Sequence, residues 1–202
     1  SSSDDENWRV EAQRGGDSRA FSDIGSHWCD VVEWVSGLRI TEVSASTSTV
    51  FNTRGSVSVA TEDIASVNLR FDNGALGALV VSQVSPGRKN RLYFELSGAV
   101  ASVAFDQEQP ETMWWATTAT TTSVIRDPRS LSAEAAALSA LPAGHPMGYS
   151  DCFANFVADT YRAIAGSTRD VLPTFSDGLR TARISVAVME SARSNSWVTV
   201  TP

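Results

Sequence analysis

The sequence is short of the residues that several classes of protein require. Its 202 residues include two cysteines, too few for a disulfide-stapled secreted scaffold, and no apolar run approaches the ~20 residues that span a bilayer. Lys and Arg number 16 against 23 Asp and Glu, and the resulting net charge of −7 disfavours binding to nucleic-acid phosphates. We therefore expect a cytoplasmic chain with no nucleic-acid partner and no membrane partner.

Two further patterns are missing. The N-terminus lacks the basic-then-apolar order of a signal peptide, and residues 1–7 are polar and acidic, which predicts a disordered or expression-derived leader before one domain over 8–202. No Gly-x-Gly-x-x-Gly fingerprint follows a strand, because the glycines at 15–16, 74–77 and 144–148 have other spacings. The sequence therefore predicts no cofactor-binding residues of its own.

The clearest helical pattern covers residues 23–36 and ends at Gly37. Its apolar positions recur at helical spacing and predict one face towards the core, while a second stripe runs along its flank. The predicted core stripe consists of Ile24, Trp28, Val31, Val32 and Val35, and the flank stripe of Asp23, His27, Asp30 and Trp34.

Beyond this helix the pattern changes to the two-residue period of strands. Asp72-Asn73-Gly74 predicts a tight hairpin between two of them, and Ser150 and Ser176 introduce two later helical patterns. This order predicts an α+β fold: a large open, predominantly antiparallel sheet of about six strands with helices packed on one face. The predicted strands cover residues 41–51, 64–71, 75–84, 91–96, 99–105 and 112–125.

Asp23 and His27 are the most suggestive chemical pair. They are four residues apart, so a helix places both on one face, where a carboxylate can reach an imidazole. A carboxylate bonded to one ring nitrogen fixes the tautomer and leaves the other nitrogen to exchange a proton near neutral pH. The spacing alone also fits a capped helix start beside a histidine that only packs.

A metal site is not predicted. His27 and Cys29 point about 200° apart on a helix, so one ion could not bind both, and the zinc spacings of paired Cys or His are lacking. Cys29 and Cys152 are better interpreted as small buried hydrophobic residues on helices.

The helix lies within a longer set of motifs that resembles the C-terminal domain of the Gfo/Idh/MocA family of nicotinamide-dependent oxidoreductases. The Asp-Ile-Gly-Ser-His segment at 23–27 is the most diagnostic of these, and the resemblance covers nearly the whole chain. The other matching segments are Trp8-Arg9, Gly15-Gly16, Ser18-Arg19-Ala20, Ser82-Gln83, the stretch from Gly87 to Asn90, Phe105 to Pro110, His145-Pro146, Gly148-Tyr149, Phe153 and Asn155-Phe156.

The resemblance implies a reaction. His27 would take the proton from a sugar or polyol hydroxyl as hydride leaves its carbon for the nicotinamide, and Asp23 would orient His27. The family's third catalytic group, a lysine in a Glu-Lys-Pro segment, is absent from this sequence. NAD or NADP would be bound mainly by a missing N-terminal domain, so we expect the chain alone to be inactive.

Four further residues are candidates for binding the substrate. Arg9 follows the Trp-Arg motif, although an arginine in a surface ion pair fits equally, and His145 and Tyr149 precede a helix where family members often line the sugar pocket. A plain loop-packing role is the alternative for both. Asn155 faces either the pocket or solvent.

Two other functions remain open. Relatives with this fold use bound NAD for transient oxidation in glycoside hydrolysis, and a retained domain could also serve only as an interaction module. Trp114-Trp115 puts one indole on each side of its strand, which predicts a homo-oligomer formed through the open face of the sheet.

Overall fold

The computed structural model describes residues 8, 12–167 and 171–202, with only the backbone at 12 and 13. The predicted leader 1–7 lies outside these residues. The chain divides into two compact units, Ser1–Arg88 with Phe175–Pro202, and Lys89–Thr174. In the described part, no helix is long and apolar enough to cross a membrane.

The first unit contains α1 (Ala12–Gly15), a π-helical turn (Phe21–Gly25), α2 (Ser26–Ser36), β1 (Ile40–Ser48), β2 (Thr53–Arg54), β3 (Val57–Ser58), β4 (Ile64–Phe71), β5 (Leu76–Ser82), α5 (Phe175–Ser194) and β10 (Val198–Thr199). The second contains β6 (Tyr93–Ser97), β7 (Ala101–Asp106), β8 (Thr112–Thr117), β9 (Thr121–Ile125), α3 (Ala133–Leu138) and α4 (Tyr149–Ile164).

The sheet of the first unit has the strand order β10-β1-β4-β5, and all its pairs are antiparallel. Along β4, buried and exposed residues alternate strictly after Ile64, because successive side chains point to opposite faces of the strand. The predicted hairpin is confirmed: Gly74 has a φ of 86° and donates its N–H to the Phe71 carbonyl. The register of β4 against β5 is therefore set at this turn.

Helix α5 packs against β1, and α2 packs against α5. Ser191 is fully buried at the first contact, where its hydroxyl accepts the N–H of Ala45 and donates to the carbonyl of Ser196. At the second contact, Arg180 donates to both oxygens of the buried Glu33 carboxylate, at 2.7 and 3.2 Å. Polar contacts therefore fix the helices against each other and against the sheet.

A buried ion cluster surrounds Asp63, which directly precedes β4. Its Oδ1 accepts from Arg19 at 2.5 Å and from Arg54 at 2.8 Å, while its Oδ2 accepts the backbone N–H groups of Val50 and Phe51. The side chains of Asp63, Arg19 and Arg54 are almost completely excluded from solvent. The cluster thus joins the segment before the π turn to the β1–β2 connection.

The second unit is built on the sheet β6-β7-β8-β9, whose antiparallel strands follow one another along the chain. The predicted single strand over 112–125 is wrong, because the chain turns at Thr117, whose N–H donates to the Thr120 carbonyl. After β9, Arg126 binds the Glu111 carboxylate and donates to the carbonyl of Leu141. This arginine thereby anchors the segment that leads to α4.

The α+β class and the antiparallel strands are confirmed. The single sheet of about six strands is corrected to two four-stranded sheets and a separate two-stranded β2–β3 pair. Period-two patterns mark which face of each strand is buried but not which strands pair, so the break between β5 and β6 could not be located from periodicity. The partner of β1 on its outer edge, β10, comes from the far end of the chain.

Candidate active site

Asp23 and His27 lie where the π turn passes into α2. The turn is defined by the N–H of Ser26, which donates to the carbonyl of Phe21 five residues earlier. Gly25 is required here, because a Cβ at this position would lie 2.5 Å from Cδ2 of the buried Phe21 ring. The Asp-Ile-Gly-Ser-His segment therefore encodes a local backbone geometry as well as the side chains of Asp23 and His27.

The buried stripe of this helical segment differs from the predicted one by one residue. Of the predicted core stripe, Val32 is buried as expected, but Val35 is 42% exposed and Trp28 is only half-buried. The buried positions instead begin at Phe21 and include Gly25 and Glu33, which a hydropathy pattern does not mark. One residue corresponds to about 100° of rotation, which turns His27 to the solvent-facing side. The buried positions are Phe21, Gly25, Cys29, Val32 and Glu33.

Asp23 is half-buried, and a residue from another part of the chain holds it. Nε2 of Gln83, the residue after β5, donates to Oδ2 of Asp23 at 2.8 Å. His27 is exposed and follows Asp23 by four residues. The arrangement therefore combines an immobilised carboxylate with an accessible imidazole on the next turn.

The start of the π turn is also held from outside the helix. The Glu62 carboxylate accepts the N–H groups of Arg19 and Phe21 and the hydroxyl of Ser18. A helix start leaves its first N–H groups without partners inside the helix, and Glu62 satisfies two at this end. Glu62 is almost fully buried, so it fixes the segment that carries Asp23 relative to the sheet.

A second carboxylate, Asp30, lies three residues beyond His27. Burial raises the pKa of Asp30, the nearby Asp177 carboxylate raises it further, and His27 opposes the shift. Asp30 therefore holds its negative charge less readily than an ordinary aspartate. Asp23, in contrast, is held in place by the side-chain amide of Gln83.

The four residues predicted to bind the substrate are Arg9, His145, Tyr149 and Asn155. Arg9 lies outside the described residues. His145 and Tyr149 are exposed, and the ring of Tyr149 stacks on that of Phe153 with 5.7 Å between centroids. Asn155 donates its side-chain amide to the Leu138 carbonyl at 2.8 Å, a contact that supports the end of α3. Substrate binding by these four residues stays a prediction.

Sequence reasoning did not assign a role to Gln83. The only sign of it was its place in the Ser82-Gln83 motif.

Among the described residues, no group of three or more His, Cys, Asp and Glu side chains could hold a metal ion.

Both cysteines are free thiols. The predicted burial is confirmed for Cys29 and wrong for Cys152, which is exposed. Burial, with a smaller contribution from Glu33, raises the pKa of the Cys29 thiol to about 12, so its reactive thiolate is scarce at neutral pH. We expect a disulfide reagent to titrate Cys152 rapidly in the native chain and Cys29 only after denaturation. Two fast thiols in the native chain, or none, would contradict this placement.

A family model matches the part of the chain that carries Asp23, His27 and Gln83. The model of the GFO/IDH/MocA C-terminal domain matches residues 1–104, which include the π turn, α2 and Gln83. The chain belongs to the GFO/IDH/MocA family. The resemblance seen in the motifs is thereby confirmed.

Individual GFO/IDH/MocA proteins match over nearly the whole chain. Levoglucosan dehydrogenase of Pseudarthrobacter phenanthrenivorans is 29% identical over 217 aligned residues, covering 96% of this chain and 54% of the relative. An oxidoreductase domain protein from Kribbella flavida superposes with a TM-score of 0.87 at 29% identity, covering 98% of this chain and 54% of that one. The structure of a levoglucosan dehydrogenase in complex with NADH and levoglucosan superposes with a TM-score of 0.86 at 28% identity. It covers 97% of this chain and 54% of that one. The chain therefore spans about half the length of the relatives it matches.

Proposed function

We propose that this chain is the substrate-binding half of a nicotinamide-dependent oxidoreductase that acts on a sugar, a polyol or a related hydroxylated compound. The observation that carries the proposal is the junction of the π turn and α2, where Gln83 holds Asp23 and His27 is exposed four residues later. A relative with 28% identity has been solved with NADH and levoglucosan, which supports both the cofactor class and the substrate class.

In this reaction His27 is the acid-base group. Its ring nitrogen accepts the substrate hydroxyl proton during oxidation and returns it during reduction, while Asp23 orients the ring and stabilises its positive charge. A bound NAD or NADP would provide the chemistry of hydride transfer at the substrate carbon. The chain itself contributes the proton transfer and the orientation of the hydroxyl, and we assign none of its residues to the cofactor.

The experiment that tests this function uses a full-length protein in which a family dinucleotide-binding domain precedes the chain. NAD⁺ and NADP⁺ are each offered with a panel of sugars and polyols that includes levoglucosan. We expect reduced nicotinamide to accumulate with at least one substrate, and the isolated chain to give none. Glycoside cleavage without net reduction would favour the hydrolase alternative, whereas no turnover of any kind would favour an interaction module.

We also propose that a second copy of the chain covers the sheet β6-β7-β8-β9. Trp114 and Trp115 project to opposite faces of β8 and remain 39% and 42% exposed, and Ile125 on β9 is 62% exposed. Light scattering should give at least twice the monomer mass, and a monomer at micromolar concentration would overturn the proposal.

The two free thiols favour a reducing, cytoplasmic location.

A further inference from the structure

We propose that Gln83 is a positioning residue that holds the Asp23 carboxylate in register with His27. The inference rests on the proposed function, because it assigns a task to Gln83 only if Asp23 and His27 act together. Gln83 and Asp23 are sixty residues apart in sequence, yet Nε2 and Oδ2 lie 2.8 Å apart in a partly buried setting.

Two neighbouring residues fix both sides of this contact. Glu62 holds the π turn through the N–H groups of Arg19 and Phe21. Asp63 accepts the backbone N–H of Gln83 on its carbonyl at 3.0 Å. The helix that carries Asp23 and the backbone that carries Gln83 are thus both held by one dipeptide.

That dipeptide is itself rigidly placed. The Asp63 carboxylate is buried between Arg19 and Arg54, and β4 begins at the next residue, Ile64, which is in register with Ser82. Gln83 therefore leaves the sheet opposite Asp63. The distance from Gln83 to Asp23 follows from the sheet register and the buried ion cluster, rather than from one flexible side chain.

The chemistry of an amide suits this position. A glutamine donates a hydrogen bond to a carboxylate without adding charge, so it fixes the carboxylate but leaves its negative charge available to an imidazolium. An arginine or lysine would neutralise that charge and weaken its effect on His27. Removing the amide should leave Asp23 in place but let its carboxylate rotate.

The kinetic test is a double-mutant cycle in the full-length protein. We expect Gln83→Leu to lower kcat about tenfold, the loss of one hydrogen bond to a charged group, with the KM for the nicotinamide cofactor unchanged. In an Asp23→Asn background the same substitution should cause no further loss, because Gln83 acts through Asp23. Gln107→Leu is the matched control, since Gln107 also donates its amide but to the carbonyl of Asn90.

A spectroscopic test needs no turnover. The chain has only two histidines, so the ring nitrogen resonances of His27 are assigned by comparison with His27→Ala. We expect Gln83→Leu to shift these resonances at constant pH, because a loosened Asp23 no longer fixes the tautomer, and Gln107→Leu to leave them in place. If the leucine variant does not fold, Gln83→Met removes the same donor while keeping the length of the side chain and adding no charge.

The outcomes separate the two proposals. The role of Gln83 is overturned if Gln83→Leu lowers kcat by the same factor in the wild-type and Asp23→Asn backgrounds. It is also overturned if the His27 resonances do not shift in the folded variant. Either result leaves the proposed function standing. If Asp23→Asn and His27→Ala both retain full rate, the proposed function fails, and the role of Gln83 fails with it.

Discussion

Replacing His27 with alanine should lower kcat of the full-length protein by about 10²–10⁴-fold, the usual contribution of a positioned acid-base group. The side chain is exposed, so its removal leaves the core of the first unit intact and should change stability by no more than about 0.5 kcal/mol. Steady-state formation of reduced nicotinamide at saturating substrate measures the rate, and thermal unfolding measures the stability.

The neighbouring carboxylates provide the matched comparison. Asp23→Asn should also lower kcat, because it removes the group that orients His27, whereas Asp30→Asn should leave it within about twofold. Asp30 is exposed, whereas Asp23 is half-buried and is held by Gln83. Equal losses from the two asparagine variants, or an undiminished rate in His27→Ala, would contradict the assignment.

The largest expected effect on stability comes from Asp63→Ala. This substitution leaves the buried guanidinium groups of Arg19 and Arg54 without their shared carboxylate and should lower the free energy of unfolding by about 3–5 kcal/mol. Asp17→Ala, which removes an exposed ion pair with Arg193 in the same unit, should change it by no more than about 1 kcal/mol. Urea unfolding monitored by tryptophan fluorescence measures both changes in the free energy of unfolding. Similar losses from the two substitutions would contradict the stabilising role of the Asp63 cluster.

The contribution of Asp63 should depend on pH in a defined direction. Burial alone would raise its pKa, but the N–H groups of Phe51 and Val50 and the Arg54 guanidinium outweigh burial and lower it. A group whose pKa is lower in the folded state stabilises the fold above its unfolded pKa and loses that contribution as the pH falls through the folded value. The stability difference between the wild type and Asp63→Asn should therefore be largest near neutral pH and shrink in acid.

Local signals predicted much of the first unit. The Asp72-Asn73-Gly74 turn and the alternating pattern over 64–71 match the observed hairpin and strand β4, because register and face are set by neighbours in sequence. The buried stripe of α2 was misplaced because it includes Gly25, which has no side chain, and the charged Glu33, and hydropathy assigns neither to a core face. Phe21, the largest buried side chain at that end, lies before the predicted helix start.

The candidate site was predicted in part. The spacing of Asp23 and His27 and the motif around them identified the pair, since both are encoded in one local segment. The role of Gln83 could not be found in this way, because it depends on the pairing of β4 with β5 and on Glu62 and Asp63. Contacts across sixty residues are a property of the fold and leave no periodic trace in the sequence.

The most direct test of the central claim is a crystal structure of the full-length protein with reduced cofactor and its sugar or polyol. We expect a ring nitrogen of His27 to lie within about 2.6–3.2 Å of the hydroxyl on the carbon that exchanges hydride. Asp23 should remain bound to Gln83 and lie beside the other ring nitrogen. A reacting hydroxyl held by another group, with His27 turned away to solvent, would contradict the acid-base role of His27.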